Sequence, residues 1–218
     1  MVIFDCNGVL VDSEPIVCAV LANAFQSIGV PLTAREIARQ FHGRRTSDIF
    51  TVVEKATKQP LPTGFAASVS AELLRRLRSE LRAVPHAAHA LSWLRGPKAV
   101  ASSSALDRIR SSLEITNLLR FFGVRLFSAS DVARGKPAPD LYLLAAKSMS
   151  VDPHDCIVVE DSAAGVAAAA AAQMTPIGFL GGSHAGGELA RDLLAAGART
   201  VIADMRGLKG AIIELRGW

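Results

Sequence analysis

Residues 1–14 read MVIFDCNGVLVDSE: an apolar run, Val2 to Phe4, ends in a carboxylate, Asp5, and passes at once into Cys6, Asn7 and Gly8. A short strand that delivers one Asp into a glycine-containing turn has the form of a site at a strand's carboxyl end, where ligands bind in open α/β sheets. Five more β-like runs follow: KAVASSS at 98–104, VRLFSAS at 124–130, DCIVVED at 155–161, TPIGFLGG at 175–182 and TVIADM at 200–205. Their apolar centres lack strict alternation, as expected when helices cover both faces of a sheet. Helical patterns lie between them: ALDRIRSSLEI, PDLYLLAAKSMS, SAAGVAAAAAAQM and GGELARDLLAAG. Alternation of this kind from about residue 85 onward predicts a doubly wound parallel sheet.

Residues 13–84 break the rhythm. They hold no convincing strand and predict helices near 14–28, 33–41, 46–57 and 65–82, the last with Leu73, Leu77 and Leu81 repeating beside Leu74 as one apolar stripe. The expected architecture is therefore α/β: a Rossmann-like core from residues 1–12 and 85–218, with an all-helical cap, 13–84, inserted after the first strand.

Composition narrows the function classes. Of 218 residues, half are hydrophobic and a fifth charged, so an ordinary core can be buried without disordered tracts. The three cysteines are widely spaced and include no CxxC pair, which favours a reducing, cytoplasmic setting. No apolar stretch approaches the ~20 residues needed to span a bilayer, so no membrane partner is expected. The alanine-rich run at 163–172 reads as a helix packed closely on the sheet. The net charge of +4 arises wholly in residues 13–84, where ten Lys/Arg face six Asp/Glu; the remainder holds fourteen of each. Because stacking aromatics are not interleaved with these basic residues, nucleic acid is not expected. A monomer is expected, and residues upstream of Met1 are left open.

Four polar features fall at the carboxyl ends of four predicted strands: Asp5, Ser102, Lys136 shortly after the third strand, and Glu160 with Asp161. In a doubly wound sheet these ends converge on one crevice. Three carboxylates there cannot all ionise comfortably without a cation between them, and hard oxygen donors with room for water suit Mg²⁺. Lys136 and the Ser102 hydroxyl would meet the non-bridging oxygens of a transferring phosphoryl group, and an Asp carboxylate is a competent nucleophile towards phosphorus. Taken singly the same residues have plain readings: serines capping the next helix, a surface lysine, an N-capping aspartate.

The stretches DCNGVLVDSE, VASSS, GKPAPD and VVEDSAAGVAAAAAA resemble the four motifs of the haloacid dehalogenase-like hydrolases. The likeness is to the branch with a helical cap after the first motif, which contains β-phosphoglucomutase and many small-metabolite phosphatases. It implies Asp5 as nucleophile and Asn7 at the general acid/base position, with the Asn7 backbone carbonyl reaching the metal. It also implies Ser102 and Lys136 as phosphate-binding residues, and Asp5, Glu160 and Asp161 with Asn7 as the Mg²⁺ site. Gly8 and Ser103 are expected to contact the substrate. The loop FHGRRTSD falls where the family carries its specificity loop, which brings forward His42, Arg44 and Arg45. His184, in GFLGGSHAGG, is a further substrate-side candidate, whereas His86 and His89 read as surface residues. The implied activity is Mg²⁺-dependent hydrolysis of a small phosphorylated metabolite, with sugar-phosphate mutase or a silent phosphate-binding homologue as alternatives.

Asn7 departs from the family pattern, which has an Asp there. An amide neither donates an acidic proton nor accepts one, so acid/base help worth ~10²–10⁴-fold is expected to be missing. Three explanations stand: an Asp replaced to trap a complex, a natural chain of weak or altered activity, or chemistry that does without the acid, as in dehalogenases. The paired acids Glu160 and Asp161 speak against dehalogenation. The Asn-Gly dipeptide is also prone to deamidation, which would restore some Asp.

Overall fold

The computed structural model describes residues 1–183 and 185–216. Six strands, β1 (Val2–Phe4), β2 (Lys98–Ser102), β3 (Leu126–Ser128), β4 (Ile157–Glu160), β5 (Thr175–Phe179) and β6 (Thr200–Ile202), form one parallel sheet in the order β3-β2-β1-β4-β5-β6. The chain builds outward from β1 to β3 on one side and from β4 to β6 on the other. Strand order thus reverses between β1 and β4, the point where such sheets open a crevice.

The missing alternation in the strand sequences has a direct cause. Phe4, Val100 and Val159 face one apolar cluster, while Ile3, Ala99, Ala101 and Val158 face another on the opposite side of the sheet. Both clusters are covered by helices: α5 (Ala87–Trp93), α6 (Leu106–Ile115), α7 (Asp140–Ser148), α8 (Ala163–Ala171), α9 (Leu189–Ala195) and α10 (Leu208–Arg216), after four earlier ones. The alanine-rich run is α8, and Ala168 and Ala169 are fully buried in the second cluster. Among the described residues no helix is long and apolar enough to cross a membrane.

The four earlier helices are α1 (Glu14–Ser27), α2 (Ala34–Phe41), α3 (Thr46–Thr57) and α4 (Phe65–Glu80). They match the sequence reading closely. Leu73, Leu77 and Leu81 are buried, and the Phe25, Phe50 and Phe65 rings gather with centroids 5.5–6.1 Å apart. The chain enters and leaves this segment side by side: Asp12 N–H donates to the Arg82 carbonyl at 2.9 Å and Val84 N–H to the Leu10 carbonyl at 2.9 Å.

Two sequence expectations differ in detail. β3 is only three residues long, because after Ser128 its hydroxyl accepts from Ser130 N–H and turns the chain into a short 3₁₀ turn, 129–131. α5 and α10 are additional helices, seven and nine residues long.

Gly165, in the first turn of α8, lies against the end of β4, where an added Cβ would overlap the Glu160 carboxylate. Gly165→Ala is expected to destabilise the fold by roughly 1–3 kcal/mol in urea denaturation, the usual range for overpacking a filled interior. A loss below about 0.5 kcal/mol would contradict this close approach.

Candidate active site

Because β1, β2 and β4 run parallel in close register, with Phe4 level with Val100 and Val159, their carboxyl ends stand side by side. Asp5 follows β1, Ser102 ends β2 and Glu160 ends β4, all buried. Lys136 arrives from the loop after β3, and its side chain is 1% exposed. Its Nζ donates to Asp5 Oδ1 at 2.5 Å and also to Glu160 Oε1. Asp5 Oδ2 has no hydrogen-bond partner among the described residues.

Glu160 is heavily engaged. Tyr142 OH donates to its Oε1 at 2.9 Å, and Ser162 donates to its Oε2 through both N–H and Oγ at 3.0 Å. Four donors therefore meet this carboxylate, so Glu160, expected among the metal ligands, has its oxygens taken up by Lys136, Tyr142 and Ser162 instead. Asp161, expected beside it as a second acid, faces His42 instead, with Nε2 and Oδ2 3.2 Å apart. It does not cap α8; that place belongs to Ser162, whose Oγ accepts from Gly165 N–H at 3.0 Å. Nor do the serines after β2 cap α6, whose N-cap is Ala105 with no side-chain bond. Ser102 Oγ accepts from Ser104 N–H at 3.2 Å, and Ser103 Oγ donates to the Gly43 carbonyl at 2.9 Å.

Asn7 Nδ2 donates to Ser104 Oγ at 2.9 Å, and the Arg108 Nε donates to the same hydroxyl at 3.0 Å. Gly8, at φ +74°, adopts the left-handed turn that glycine accepts without strain, and its N–H is spent on the Val11 carbonyl at 2.8 Å. With that nitrogen held, the folded turn opposes deamidation of Asn7, which needs the Gly8 nitrogen to attack the side-chain carbonyl.

The loop between α2 and α3 closes on the core at three points. His42 meets Asp161, Gly43 approaches Ser162 so closely that a Cβ would lie 2.5 Å from its Oγ, and Arg45 Nε lies 2.6 Å from where a Gly135 Cβ would be. Arg44 is exposed at the rim, and His184 lies outside the described residues. The cavity between loop and core, bordered by Asp5, Asn7, Ser102, Lys136 and Asp161, measures about 40 Å³, room for roughly three waters.

Electrostatics follow from this burial. Burial pushes the Asp5 carboxyl up to about 8, with Lys136 pulling it down and Glu160 and Asp161 adding to the rise. Burial alone would lower the Lys136 ammonium, but Asp5 and Glu160 override it and hold it well above its ordinary value. Burial likewise drives the Cys6 thiol far up, so the residue beside Asp5 is a neutral filler and no nucleophile. Asp5 and Glu160 share the one Lys136 ammonium, while Asp161 is paired with His42. Among the described residues no three His, Cys, Asp or Glu side chains gather into a metal-holding group. The donors on hand, Asp5 and Asp161 with backbone carbonyls, fit a hard divalent ion that keeps most of its water, as Mg²⁺ does.

Sequence reasoning missed Tyr142, Ser104, Ser162 and Arg108. Tyr142 is the chain's single tyrosine, which alone could have drawn attention to its helix.

Comparison with known proteins gives a consistent result. A family model described as haloacid dehalogenase-like hydrolase matches residues 1–173. The chain is 35% identical over 184 residues to 6-phosphogluconate phosphatase of Escherichia coli (strain K12), covering 84% of this chain and 83% of that protein. It is 30% identical over 175 residues to a phosphorylated carbohydrates phosphatase of Thermotoga maritima, covering 78% and 80%. A haloacid dehalogenase-like protein of Agrobacterium tumefaciens superposes with a TM-score of 0.84 at 35% identity, covering 99% of this chain and 98% of that one. A hydrolase of Deinococcus radiodurans with bound phosphate and sodium superposes with a TM-score of 0.75 at 33% identity, covering 98% and 94%.

His42 gives a pH-dependent expectation. Burial would lower its imidazolium, but Asp161 outweighs this and raises it to about 9. A group raised from its unfolded value near 6.5 adds stability fully below that pH and loses it as pH rises through about 9. Without added divalent cation, His42→Ala should melt below the parent at about pH 6, with the gap closing by about pH 10. A gap independent of pH would contradict the ion pair.

Proposed function

The chain belongs to the haloacid dehalogenase-like hydrolases, and we propose that it is a phosphoric monoester hydrolase whose substrate is a small phosphorylated metabolite of the sugar-phosphate type. The observation that carries this reading is the buried array at the crevice: Asp5 held at one oxygen by Lys136, itself fixed by Glu160. Relatives named for phosphatase activity on phosphorylated carbohydrates support the substrate class.

Asp5 attacks phosphorus through Oδ2 and forms an aspartyl-phosphate, breaking the bond to the leaving oxygen. Lys136 neutralises charge on the non-bridging oxygens, and the Ser102 hydroxyl donates to one of them. Asp5, Asp161 and the Asn7 carbonyl would hold Mg²⁺, which would supply charge stabilisation to the phosphoryl group. Glu160 acts on Lys136. Water then releases phosphate from Asp5. Residues 13–84 act as a cap whose loop places His42, Arg44 and Arg45 over the crevice, with Ser103 in its wall. Closure of this cap excludes bulk water. Three buried free thiols fit a cytoplasmic setting.

Asn7 weakens both steps that move a proton, since its amide neither protonates the leaving oxygen nor activates the attacking water. The same amide favours one second reading, a phosphate-binding protein that turns nothing over.

Two substitutions separate these readings. Asn7→Asp is isosteric, and Ser104 Oγ can turn to donate to the new carboxylate. In a phosphate-release screen over sugar phosphates, nucleotides and phosphoglycolate-like acids, Asn7→Asp should raise turnover by ~10²–10⁴-fold. Adding Asp5→Asn to that variant should bring release to background. If Asn7→Asp releases phosphate from nothing while both chains bind phosphorylated ligands, the silent binder is correct.

A further inference from the structure

Beside the small cavity lies a second, of about 290 Å³, between α3 and α4 on one side and the turn from β2 into α6 on the other. Thr46, Ser103 and Arg108 border both, so they form the wall the two share. The smaller space has room for a phosphoryl group only; the larger suits the rest of a small polar substrate.

Two arginines line this chamber, Arg45 at the start of α3, its guanidinium against Gly135, and Arg108 in α6. Arg108 donates Nε and Nη2 to the Ser104 hydroxyl at 3.0 and 2.5 Å, and that hydroxyl is shared with Asn7. Arg45 Nη2 reaches the Val132 carbonyl at 3.4 Å, and its buried Nε has no partner. Among the described residues no carboxylate stands within ion-pair distance of either group. Asp107, exposed at the rim, spends its Oδ1 on the Arg108 backbone N–H at 2.7 Å. Glu14, bordering the small cavity, is the carboxylate whose field bears most on Arg108.

Two cations with only neutral partners in a half-closed chamber are costly until an anion joins them. Burial pushes Arg108 below the ordinary guanidinium value, the sign of that cost. The hydroxyls of Thr46, Ser70, Ser103 and Ser130 line the same chamber, offering donors and acceptors to a hydroxylated chain. Guanidinium planes bind carboxylate or phosphate through paired N–H bonds.

We infer that Arg108, together with Arg45, makes this chamber select phosphorylated substrates whose leaving group carries a second anionic group on a polyhydroxylated chain. This rests on the reading that the small cavity takes the phosphoryl group. Arg108 thereby becomes a specificity-determining residue outside the specificity loop.

The test is calorimetric binding to the chain with Asn7 in place, with Mg²⁺ present, using three ligands. They are 6-phosphogluconate, glucitol 6-phosphate, which differs in lacking the carboxylate, and fructose 1,6-bisphosphate. The parent should bind one or both of the ligands with a second anion roughly 10–100-fold tighter than glucitol 6-phosphate, the range for a charge-assisted contact. Which of the two is preferred identifies the anion as carboxylate or phosphate. Arg108→Gln should bring that ratio to within about threefold of unity, and Arg108→Lys, which keeps the charge, should retain part of it. A parent ratio near one overturns the inference. So does an Arg108→Lys or Arg108→Gln protein that loses affinity for all three ligands and for inorganic phosphate alike, because Arg108 would then belong to the phosphoryl site. Phosphate release by Asn7→Asp is read separately: selectivity without any release leaves the chamber assignment standing and removes the phosphatase reading. Absence of binding by all three ligands removes both.

Discussion

A single buried ammonium organises the crevice. Lys136 lies between Asp5 and Glu160 with its charge wholly inside the protein, and it brings together the ends of two strands and the loop after a third. Burying an ammonium with two carboxyl groups is unfavourable unless each is matched, and the match here extends outward through Tyr142 and Ser162 to the start of α8. Gly165 is part of the same constraint, since only a residue without Cβ lets α8 approach Glu160. Removing one partner from such a cluster typically costs about 3–5 kcal/mol, because a charge is then left without its counterpart. The geometry that stabilises the fold is thus also the geometry that aims Asp5.

Closure over the crevice depends on small residues meeting large ones. Gly43 lets the α2–α3 loop approach Ser162, and Gly135 leaves room for the Arg45 side chain. The loop can therefore seal the phosphoryl cavity while its next residues border the larger chamber. In the proposed reading, one short segment thus separates the site of chemistry from the site of recognition, so that reaction and specificity can vary independently on this fold.

Much of this was legible in the chain itself. The non-alternating strands and the 3.6-residue periodicity of the helices marked every strand and most helices, because strands buried on both faces and amphipathic helices leave different patterns. Asp5, Ser102, Lys136, Glu160 and Asp161 were visible as one group because parallel topology brings strand ends together. Less legible was how each side chain is used. Glu160 and Asp161 are adjacent and chemically alike, yet one is surrounded by four donors and the other faces His42. Arg108 looked like an ordinary surface arginine in ALDRIRSSLEI, because helical periodicity gives a face and not the cavity that a neighbouring helix creates opposite it. Tyr142 was hidden in an apolar run where its ring fits and its hydroxyl has no sequence signal.

The central claim is that Asp5, aimed by Lys136, is the atom that receives phosphorus. Beryllium trifluoride mimics an aspartyl-phosphate without needing the acid/base group that Asn7 lacks. Fluorine NMR of this chain with beryllium trifluoride should show bound resonances that require Mg²⁺ and disappear in Asp5→Asn. Bound resonances that survive Asp5→Asn, or none in a folded parent with Mg²⁺, would contradict the account.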